Sequence, residues 1–468
     1  MPKLDVRGQG SLALDTVGPA VDEVPLSVSG HAGHSEESNV VGTFVDAQQV
    51  RMTTQHALKS RADLTFKANL ARTRYGWLRL TPAYSVHLVA EIVREHCTRE
   101  SVVLDPFCGT GTTALVCAEH GIACDTTDIN PFLLWLAEAK SRRYSAAELV
   151  RVETASAAVI RAIHATSKSP EWIPPLHQIE KWWNESTLHA LGRAFAAIKH
   201  VAEGEQASVV DLLKVIFCRT MIAYSNASFG HQSMSFKKTD AHPTLALVGS
   251  AADGIAVSWR KTTSEIVSAA ASEIAEVPRH LHCDARNLRV ALPQSRYDCV
   301  VTSPPYPNRM SYIRELRPYM YWLGYLADGR AAGELDWQAI GGTWGCATSN
   351  VGKWRPDPGS VVPSDGFGET LDCIAAKSPL LSNYVRKYFH DMVDHCDGLY
   401  AVVKPGATIH YIVGNSKFYD TMLHVETIFA HLFAHAGFRD TSVKAIRKRT
   451  SKKELFEFVV SARKPIHT

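Results

Sequence analysis

Long apolar runs are absent from this chain: in its 468 residues no apolar stretch approaches the ~18 residues that cross a bilayer. The N-terminus also lacks the basic segment followed by an apolar one that marks a secretory signal. The ten cysteines are scattered, without a Cys-x-x-Cys pair or a histidine-rich spacing. The sequence therefore predicts a cytoplasmic protein without membrane contact and without a metal site, in which free cysteines fill the core.

An excess of charge of one sign is missing as well. The 50 Lys and Arg residues and the 47 Asp and Glu residues leave a net charge of +3, which neither requires nor excludes a nucleic acid partner. Apolar residues are plentiful, at 46%, so the chain can bury a large core. Because its length exceeds that of a typical domain, we expect one domain with a large insertion, or two domains.

Regular strand and helix patterns begin after residue 55. Residues 1–55 show no sustained periodicity and are predicted to form a flexible N-terminal arm. Residues 56–145 hold an amphipathic helix and then two β-branched strands, 101–105 and 122–128, each followed by a helix. A strand–helix–strand–helix order is typical of a parallel α/β sheet.

Two insertions interrupt this order. The next strands, 280–282 and 298–302, come too late for a βα unit of ~30 residues, so residues 146–278 are predicted to be a helical insertion. Its amphipathic helices are expected at 146–166, 176–202 and 207–223. Residues 279–468 continue the sheet, and within them residues 328–379, rich in Gly, Trp, Ser and Pro, are expected to form a long loop or a small subdomain.

The chain ends in regular elements, predicted as helix 384–403, strand 407–413, helix 422–436 and paired strands 438–446 and 454–462. Gly406 is expected to cap the first of these helices, because glycine is common just past a helix C-terminus. A basic turn joins the last two strands, which together predict an antiparallel hairpin.

A glycine-rich motif stands between the first strand and the following helix. Residues 105–113, the glycine loop, read DPFCGTGTT and lie where open α/β sheets bind ligands. Gly109 and Gly111 allow a ligand to approach the backbone, and the helix N-terminus favours a carboxylate. Since Ala114 is tolerated at the third position of a GxGxxG fingerprint, spacing alone also allows a dinucleotide. Asp105 favours S-adenosylmethionine, because its carboxylate suits the α-amino group and would repel a pyrophosphate.

Two further acids follow strands. Asp128 ends the second strand and can accept hydrogen bonds from ribose hydroxyls. Asp284 follows the third strand and is placed to bind the adenine amino group. Each acid alone would be a helix cap or a turn residue, but three at successive strand ends predict one nucleoside site. Neighbours in the same turns complete the predicted cofactor contacts: Phe107, Thr112, Thr113, Ile129 and Ala285.

A second motif, Ser303-Pro304-Pro305-Tyr306, follows the strand 298–302 and is called the proline turn below. Proline pairs are usually only rigid turns. An exocyclic amine on a base, however, is a poor nucleophile, because its lone pair is delocalised into the ring. The Ser303 hydroxyl and the Pro304 carbonyl can hold its N–H groups and turn the lone pair toward a sulfonium methyl, while Pro305 stiffens the turn. Tyr306 can stack on an extruded base.

Together, DPFCGTG and TSPPY in this order resemble the amino-methyltransferases of DNA, which act on N4 of cytosine or N6 of adenine. The resemblance covers about 70–145 and 279–465. It implies the Rossmann-like, seven-stranded α/β sheet of S-adenosylmethionine-dependent methyltransferases. Residues 74–82, RYGWLRLTP, resemble the extra motif that packs over the methionine end of the cofactor, which adds Thr81 to the cofactor contacts. Residues 404–406 and 414–416 resemble later motifs that build the pocket wall.

An enzyme of this kind must extrude a paired base and hold the DNA backbone elsewhere. Candidate surfaces are the loop 225–238 with Lys237 and Lys238, the segment 328–379, and the basic turn with Arg447, Lys448, Arg449, Lys452 and Lys453. For the basic turn a solvated hairpin tip is at least an equal alternative to a phosphate contact. The helical insertion is either the target-recognition region or a scaffold.

The leading hypothesis is site-specific N4-cytosine methylation of double-stranded DNA, because Ser before Pro-Pro-Tyr is commoner among the N4-cytosine enzymes of this family. N6-adenine methylation is the first alternative, since the two amines are chemically similar. An RNA base amino-methyltransferase and a catalytically silent DNA-binding subunit follow. A nicotinamide dehydrogenase is opposed by Asp105 and by the proline turn. A partner restriction or defence system, the recognition sequence and the oligomeric state stay open.

Overall fold

The computed structural model describes residues 51–52, 64–65, 69, 74–80, 84–166, 169, 171–228, 235–236, 250–308, 311–343, 345–449 and 454–466. Several predicted features lie outside these residues: Thr81, Lys237, Lys238, Lys452 and Lys453. The predicted N-terminal arm lies outside them too, apart from residues 51 and 52.

The described elements alternate between strands and helices. The strands are β1 (Arg51–Met52), β2 (Val102–Asp105), β3 (Ala123–Asp128), β4 (Ala227–Ser228), β5 (Ser235–Phe236), β6 (Arg279–His282), β7 (Tyr297–Thr302), β8 (Val403–Gly414), β9 (Ser416–Phe418), β10 (Thr421–Leu423), β11 (Arg439–Lys448) and β12 (Phe456–Arg463). The α-helices are α1 (Val86–His96), α2 (Thr112–His120), α3 (Pro131–Ser141), α4 (Ala146–Ile163), α5 (Glu185–Ala202), α6 (Ala207–Ala223), α7 (Ala251–Ala270), α8 (Leu288–Ala291), α9 (Tyr312–Trp322), α10 (Gly329–Gln338), α11 (Cys346–Lys353), α12 (Phe367–Ala375), α13 (Pro379–Val402) and α14 (Val425–Ala436).

The main sheet has the strand order β1-β11-β12-β8-β7-β2-β3-β6. Strands β8, β7, β2, β3 and β6 are parallel to one another, and β12 and β11 join them as an antiparallel hairpin. The two-residue strand β1 adds to the edge, parallel to β11. The predicted Rossmann-like sheet of seven strands with a C-terminal antiparallel hairpin is confirmed.

The local sequence explains the central strands and the turns that leave them. β2 and β7 are β-branched runs, and Val103 and Val301 are fully buried. Such burial is typical of parallel strands that helices cover on both faces. At the end of β3 the Asn130 side chain accepts a hydrogen bond from the Phe132 amide, and Pro131 occupies the first turn of α3. The chain therefore turns from strand to helix within a few residues.

The region between β3 and β6 contains the helices α4 to α7, which share one apolar core with α9, the helix after the proline turn. Helices were predicted for three of these four. The helix predicted from residue 176 was placed too early. It begins at Glu185, because the Asn184 side chain accepts a hydrogen bond from the Thr187 amide and caps it there. Helix α7 was not predicted, although Ser250 and Asp253 form a capping box at its start.

Two further predictions need correction, and one alternative of a third is excluded. The segment 328–379, expected to be a long loop or a small subdomain, contains the short helices α10 to α12 and is therefore not one long loop. Gly406 does not end a helix: α13 passes into β8 at Val403, and Gly406, with φ +83°, lies inside the strand where the register with β7 shifts. Helix α14 begins at Val425, because Thr421–Leu423 pairs with β9. None of the described helices is long and apolar enough to cross a membrane.

Candidate functional site

The predicted site residues follow four strands that are neighbours in the sheet. β7, β2, β3 and β6 are parallel in this order, so their carboxyl ends meet at one edge, about 4.8 Å apart. Ser303 follows β7, Asp105 ends β2, Asp128 ends β3 and Asp284 follows β6. From β2 the chain adds strands on one side and then, from β7, on the other, and open α/β sheets bind ligands at such a reversal. The structure thus places the proline turn and the glycine loop on adjacent strand ends.

Asp105 is fully buried and ties the glycine loop to β7. Its Oδ1 accepts hydrogen bonds from the Thr302 hydroxyl (2.6 Å) and the Phe107 amide (3.1 Å). Its Oδ2 accepts one from the Tyr84 hydroxyl (3.1 Å). Burial raises the pKa of Asp105, against the opposing effect of these hydrogen bonds. A carboxylate has about four acceptor positions, so three bonds leave Asp105 able to accept one more.

The predicted cofactor contacts Thr112 and Thr113 are buried at the start of α2. The Thr113 hydroxyl donates to the Val301 carbonyl (3.1 Å), and its oxygen contacts the hydroxyl oxygen of Tyr84. Thr113 therefore braces α2 against β7. Tyr84, which donates to Asp105 and contacts Thr113, was not among the predicted residues.

The backbone conformation explains both glycines of the loop, because Gly109 and Gly111 have φ angles of +50° and +76°. A Cβ on Gly111 would also lie 2.7 Å from the Cβ of Ala137 in α3. The sequence prediction explained both glycines by the approach of a ligand. At Gly111 the structure adds a different reason, the close packing of the next helix.

Lys140 of α3 holds the loop from within the core. The side chain is buried, and its Nζ donates a hydrogen bond to the Thr110 carbonyl (3.0 Å). Burial lowers the pKa of Lys140 to about 8, so it still carries its charge at neutral pH. This contact fixes one carbonyl of the loop, and the sequence analysis did not single it out.

Asp128 is positioned by two amides. Its Oδ2 accepts a hydrogen bond from Gly109 (2.9 Å) and its Oδ1 accepts one from Asn130 (2.8 Å). Burial raises the pKa of Asp128 to about 6. The carbonyl of the next residue, Ile129, accepts a hydrogen bond from Nε2 of His282 (2.9 Å), which connects the ends of β3 and β6.

Asp284 forms an ion pair with Arg286, two residues further on. Nε and Nη2 of Arg286 lie 3.0 Å and 2.6 Å from its two carboxylate oxygens. Burial acts to raise the pKa of Asp284, but the hydrogen bonds from Arg286 outweigh it and the pKa is lowered. Arg286 also bonds Asp391 of α13 (3.1 Å) and the carbonyl of Gln338 (2.7 Å). An adenine amino group at this position would share the carboxylate with an arginine that was not predicted.

His395 of α13 brings Phe107 and Ala285 together. Its Nδ1 donates to the Ala285 carbonyl (2.8 Å), so its Nε2 accepts from the Tyr411 hydroxyl (2.6 Å). Burial lowers the pKa of His395 to about 4, which keeps the ring neutral and this hydrogen-bond direction fixed. The Phe107 ring lies 4.9 Å from the His395 ring. Two of the predicted cofactor contacts, Phe107 and Ala285, therefore rest on one buried histidine.

The proline turn is held by β8 and α13. The Ser303 hydroxyl donates a hydrogen bond to the Ile412 carbonyl (3.0 Å). The Tyr388 hydroxyl donates one to the Pro305 carbonyl (2.8 Å). Pro304 is buried, whereas Ser303 and Tyr306 are half-buried. The turn is thus fixed on both sides while two of its side chains reach the surface of the site.

The two later motifs fall at opposite ends of β8. Gly414 lies beside Tyr306, and a Cβ on it would be 2.9 Å from Cε2 of that ring, which agrees with a pocket wall at 414–416. Residues 404–406 do not form such a wall. Lys404 bonds Asp298 at the amino-terminal end of β7 (2.8 Å), at the far edge of the sheet from the proline turn.

The charges of the site fit a cationic nucleoside ligand. Asp105 and Asp128 lie at adjacent strand ends, and within the described part of the chain neither forms an ion pair. Asp105 is buried and Asp128 is half-buried. Negative charge that is shielded from water and lacks a counter-charge favours a cation, and S-adenosylmethionine carries both an ammonium and a sulfonium group. Among the described residues there is no group of three or more His, Cys, Asp or Glu side chains that could hold a metal ion.

Comparisons with known proteins agree with this geometry. A family model described as DNA methylase matches residues 71–139. The type II methyltransferase M.AvaI of Nostoc is 22% identical over 420 residues, which cover 82% of this chain and 83% of that protein. The type II methyltransferase M.BsoBI of Geobacillus stearothermophilus is 20% identical over 446 residues, 86% of each chain. The solved structure of the rRNA methyltransferase aviRa of Streptomyces viridochromogenes matches 85% of this chain and 92% of its own chain, at 13% identity. Its TM-score of 0.27 supports no inference.

The sheet topology, the two motifs on its neighbouring strand ends and the similarity to these relatives along most of the chain agree with one another. Together they support a DNA amino-methyltransferase family, which this protein resembles.

Proposed function

We propose that this protein methylates N4 of cytosine at a specific sequence of double-stranded DNA, with S-adenosylmethionine as donor and the target base turned out of the helix. The observation that carries the proposal is the orientation of the Ser303 hydroxyl. A hydroxyl has one hydrogen to donate and two acceptor positions, and Ser303 commits its hydrogen to the Ile412 carbonyl (3.0 Å). Ser303 therefore offers acceptors to an incoming amine.

The proline turn supplies the alignment that methyl transfer needs. The Ser303 oxygen and the Pro304 carbonyl accept the two N–H groups of the amine and turn its lone pair out of the ring plane. When bound, the cofactor supplies the methyl group from its sulfonium and leaves as the neutral thioether S-adenosylhomocysteine. The amine loses one proton in this exchange, and that proton passes to water. Tyr306 stacks on the extruded base.

The cofactor is proposed to lie along the carboxyl ends of β2, β3 and β6. Asp105, with one acceptor position left, binds the α-amino group. The N-terminus of α2 beside Gly109 and Gly111 favours the carboxylate. Asp128 accepts the ribose hydroxyls, and Asp284 meets the adenine amino group beside Arg286. The remaining proposed contacts are Phe107, Thr112, Thr113, Ile129, Ala285 and Thr81.

The inserted helices are proposed to read the DNA around the target base. Support comes from their packing, because α4 to α7 share a core with α9, which follows the proline turn directly. The segment 328–379 is a second candidate, since α10 contacts the Arg286 side chain through Gln338. Because M.AvaI and M.BsoBI are named type II methyltransferases, we also propose that methylation protects a site from a partner restriction activity.

The test is to express the protein in a host without DNA methylation and digest the host DNA to nucleosides. Mass spectrometry should detect N4-methylcytosine with the wild type and far less of it with Ser303→Ala. N6-methyladenine would overturn the choice of base. If neither protein yields a methylated nucleoside, the proposed reaction is overturned. Methylation-aware sequencing of the same DNA then gives the recognition site.

A further inference from the structure

Arg449 lies at the point where the basic turn meets the proline turn. Its amide donates a hydrogen bond to the Leu455 carbonyl (2.8 Å), which links the residue after β11 to the residue before β12. Its Cζ atom is 5.9 Å from the centroid of the Tyr306 ring. Its Nη1 donates to the Asn415 carbonyl at 3.3 Å. The guanidinium group therefore borders the place proposed for the extruded base.

The charge of Arg449 is available, whereas that of its neighbour is not. Arg447 forms a two-bond ion pair with Glu457, at 2.6 Å and 2.5 Å. Arg449 forms no ion pair with any residue that the structure describes. Toward the described residues, one of its five N–H donors is used, in a long hydrogen bond. A half-buried guanidinium with free donors and no counter-charge favours an anion.

We propose that Arg449 binds a backbone phosphate of the nucleotide whose base enters beside Tyr306. This inference rests on the proposed function, because the target nucleotide brings its own phosphate to the mouth of the base pocket. A guanidinium group suits a phosphate, since its planar fork forms two parallel hydrogen bonds. Of the two alternatives for the basic turn, a phosphate contact and a solvated hairpin tip, the phosphate contact is thus favoured for Arg449. Arg447 is not available for such a contact, because it is paired with Glu457.

A purely structural role for Arg449 makes a different prediction. As a cation beside an aromatic ring, Arg449 could only support Tyr306. Such a contact would change turnover but would release no counterions from DNA. A phosphate contact contributes to the salt dependence of DNA affinity, by about 0.9 in the slope of log K against log salt concentration.

The experiment measures DNA binding of the full-length protein by fluorescence anisotropy across a range of salt concentrations. The probe is a duplex oligonucleotide that carries the methylation site, with S-adenosylhomocysteine present. Arg449→Gln should weaken binding by roughly tenfold and reduce the salt slope by about 0.9. Arg449→Lys keeps the charge and should keep the slope. The matched control is Arg463→Gln, an exposed arginine at the opposite end of the same hairpin, which should behave as the wild type.

An unchanged salt slope in Arg449→Gln, with normal binding of S-adenosylhomocysteine as evidence of folding, would overturn the inference. That result would leave the proposed function intact if the wild type still methylates DNA. A wild type that makes no methylated nucleoside would overturn the proposed function instead, whatever the slope of the variant.

Discussion

The protonation of Asp128 should control cofactor affinity in the mildly acidic range. Its pKa of about 6 means that the carboxylate is ionised at neutral pH and can accept ribose hydroxyls. If only the ionised form binds, the apparent dissociation constant rises about twofold at a pH of about 6 and about elevenfold at a pH of about 5. Isothermal titration with S-adenosylhomocysteine from about pH 5 to about pH 8 measures this directly.

The ionisation of Asp128, which favours cofactor binding, lowers the stability of the folded protein without ligand. Because the folded pKa is raised above the ordinary value of 3.8, Asp128 contributes stability that is present below that value and is lost as pH rises through about 6. The shift corresponds to at most about 3 kcal/mol before solvent screening. Weaker binding at low pH would therefore report the ligand contact and not unfolding caused by this group.

The control for this prediction is Asp128→Asn, which stays neutral across the range. We expect it to bind weakly at every pH, with a flat profile in place of the wild-type curve. Equal wild-type affinity at about pH 5 and about pH 8 would refute the role of Asp128 in binding ribose.

Three substitutions separate the parts of the site. Ser303→Ala should lower kcat by roughly a hundredfold with unchanged affinity for S-adenosylhomocysteine; full activity in a single-turnover methyl-transfer assay would remove Ser303 from the mechanism. His395→Phe keeps a ring beside Phe107 but loses the hydrogen bonds to Ala285 and Tyr411. The substitution should therefore weaken cofactor binding roughly tenfold, with little change in kcat at saturating cofactor. Gly414→Ala places a methyl group 2.9 Å from Cε2 of Tyr306 and should reduce transfer to DNA while cofactor affinity, measured by titration, stays normal; a loss of both would show general misfolding.

The sheet and the glycine loop could be predicted because their signals are local. β-branched runs identified the central strands, and each strand end carried its acid or its turn within a few residues. Helix α7 also carried a local signal, the capping box of Ser250 and Asp253, which the amphipathic pattern alone did not reveal. The helices α10 to α12 are short and each contains glycine, so they depend on packing more than on intrinsic propensity.

The supporting residues of the site could not be predicted, because their partners are distant in the chain or belong to the backbone. Lys140 bonds the carbonyl of Thr110, and His395 bonds the carbonyl of Ala285, 110 positions away. No spacing rule connects such pairs. The same limit explains residues 404–406, where a motif alone placed a pocket wall at the wrong end of β8.

The central claim is that the proline turn holds a base amine next to a cofactor on the adjacent strand end. A crystal structure with duplex DNA and sinefungin, an unreactive analogue of the cofactor, tests it most directly. The account predicts an extruded cytosine with its amine nitrogen about 3 Å from both the Ser303 oxygen and the Pro304 carbonyl. A base bound elsewhere, or a cofactor analogue away from Asp105 and Asp128, would contradict it.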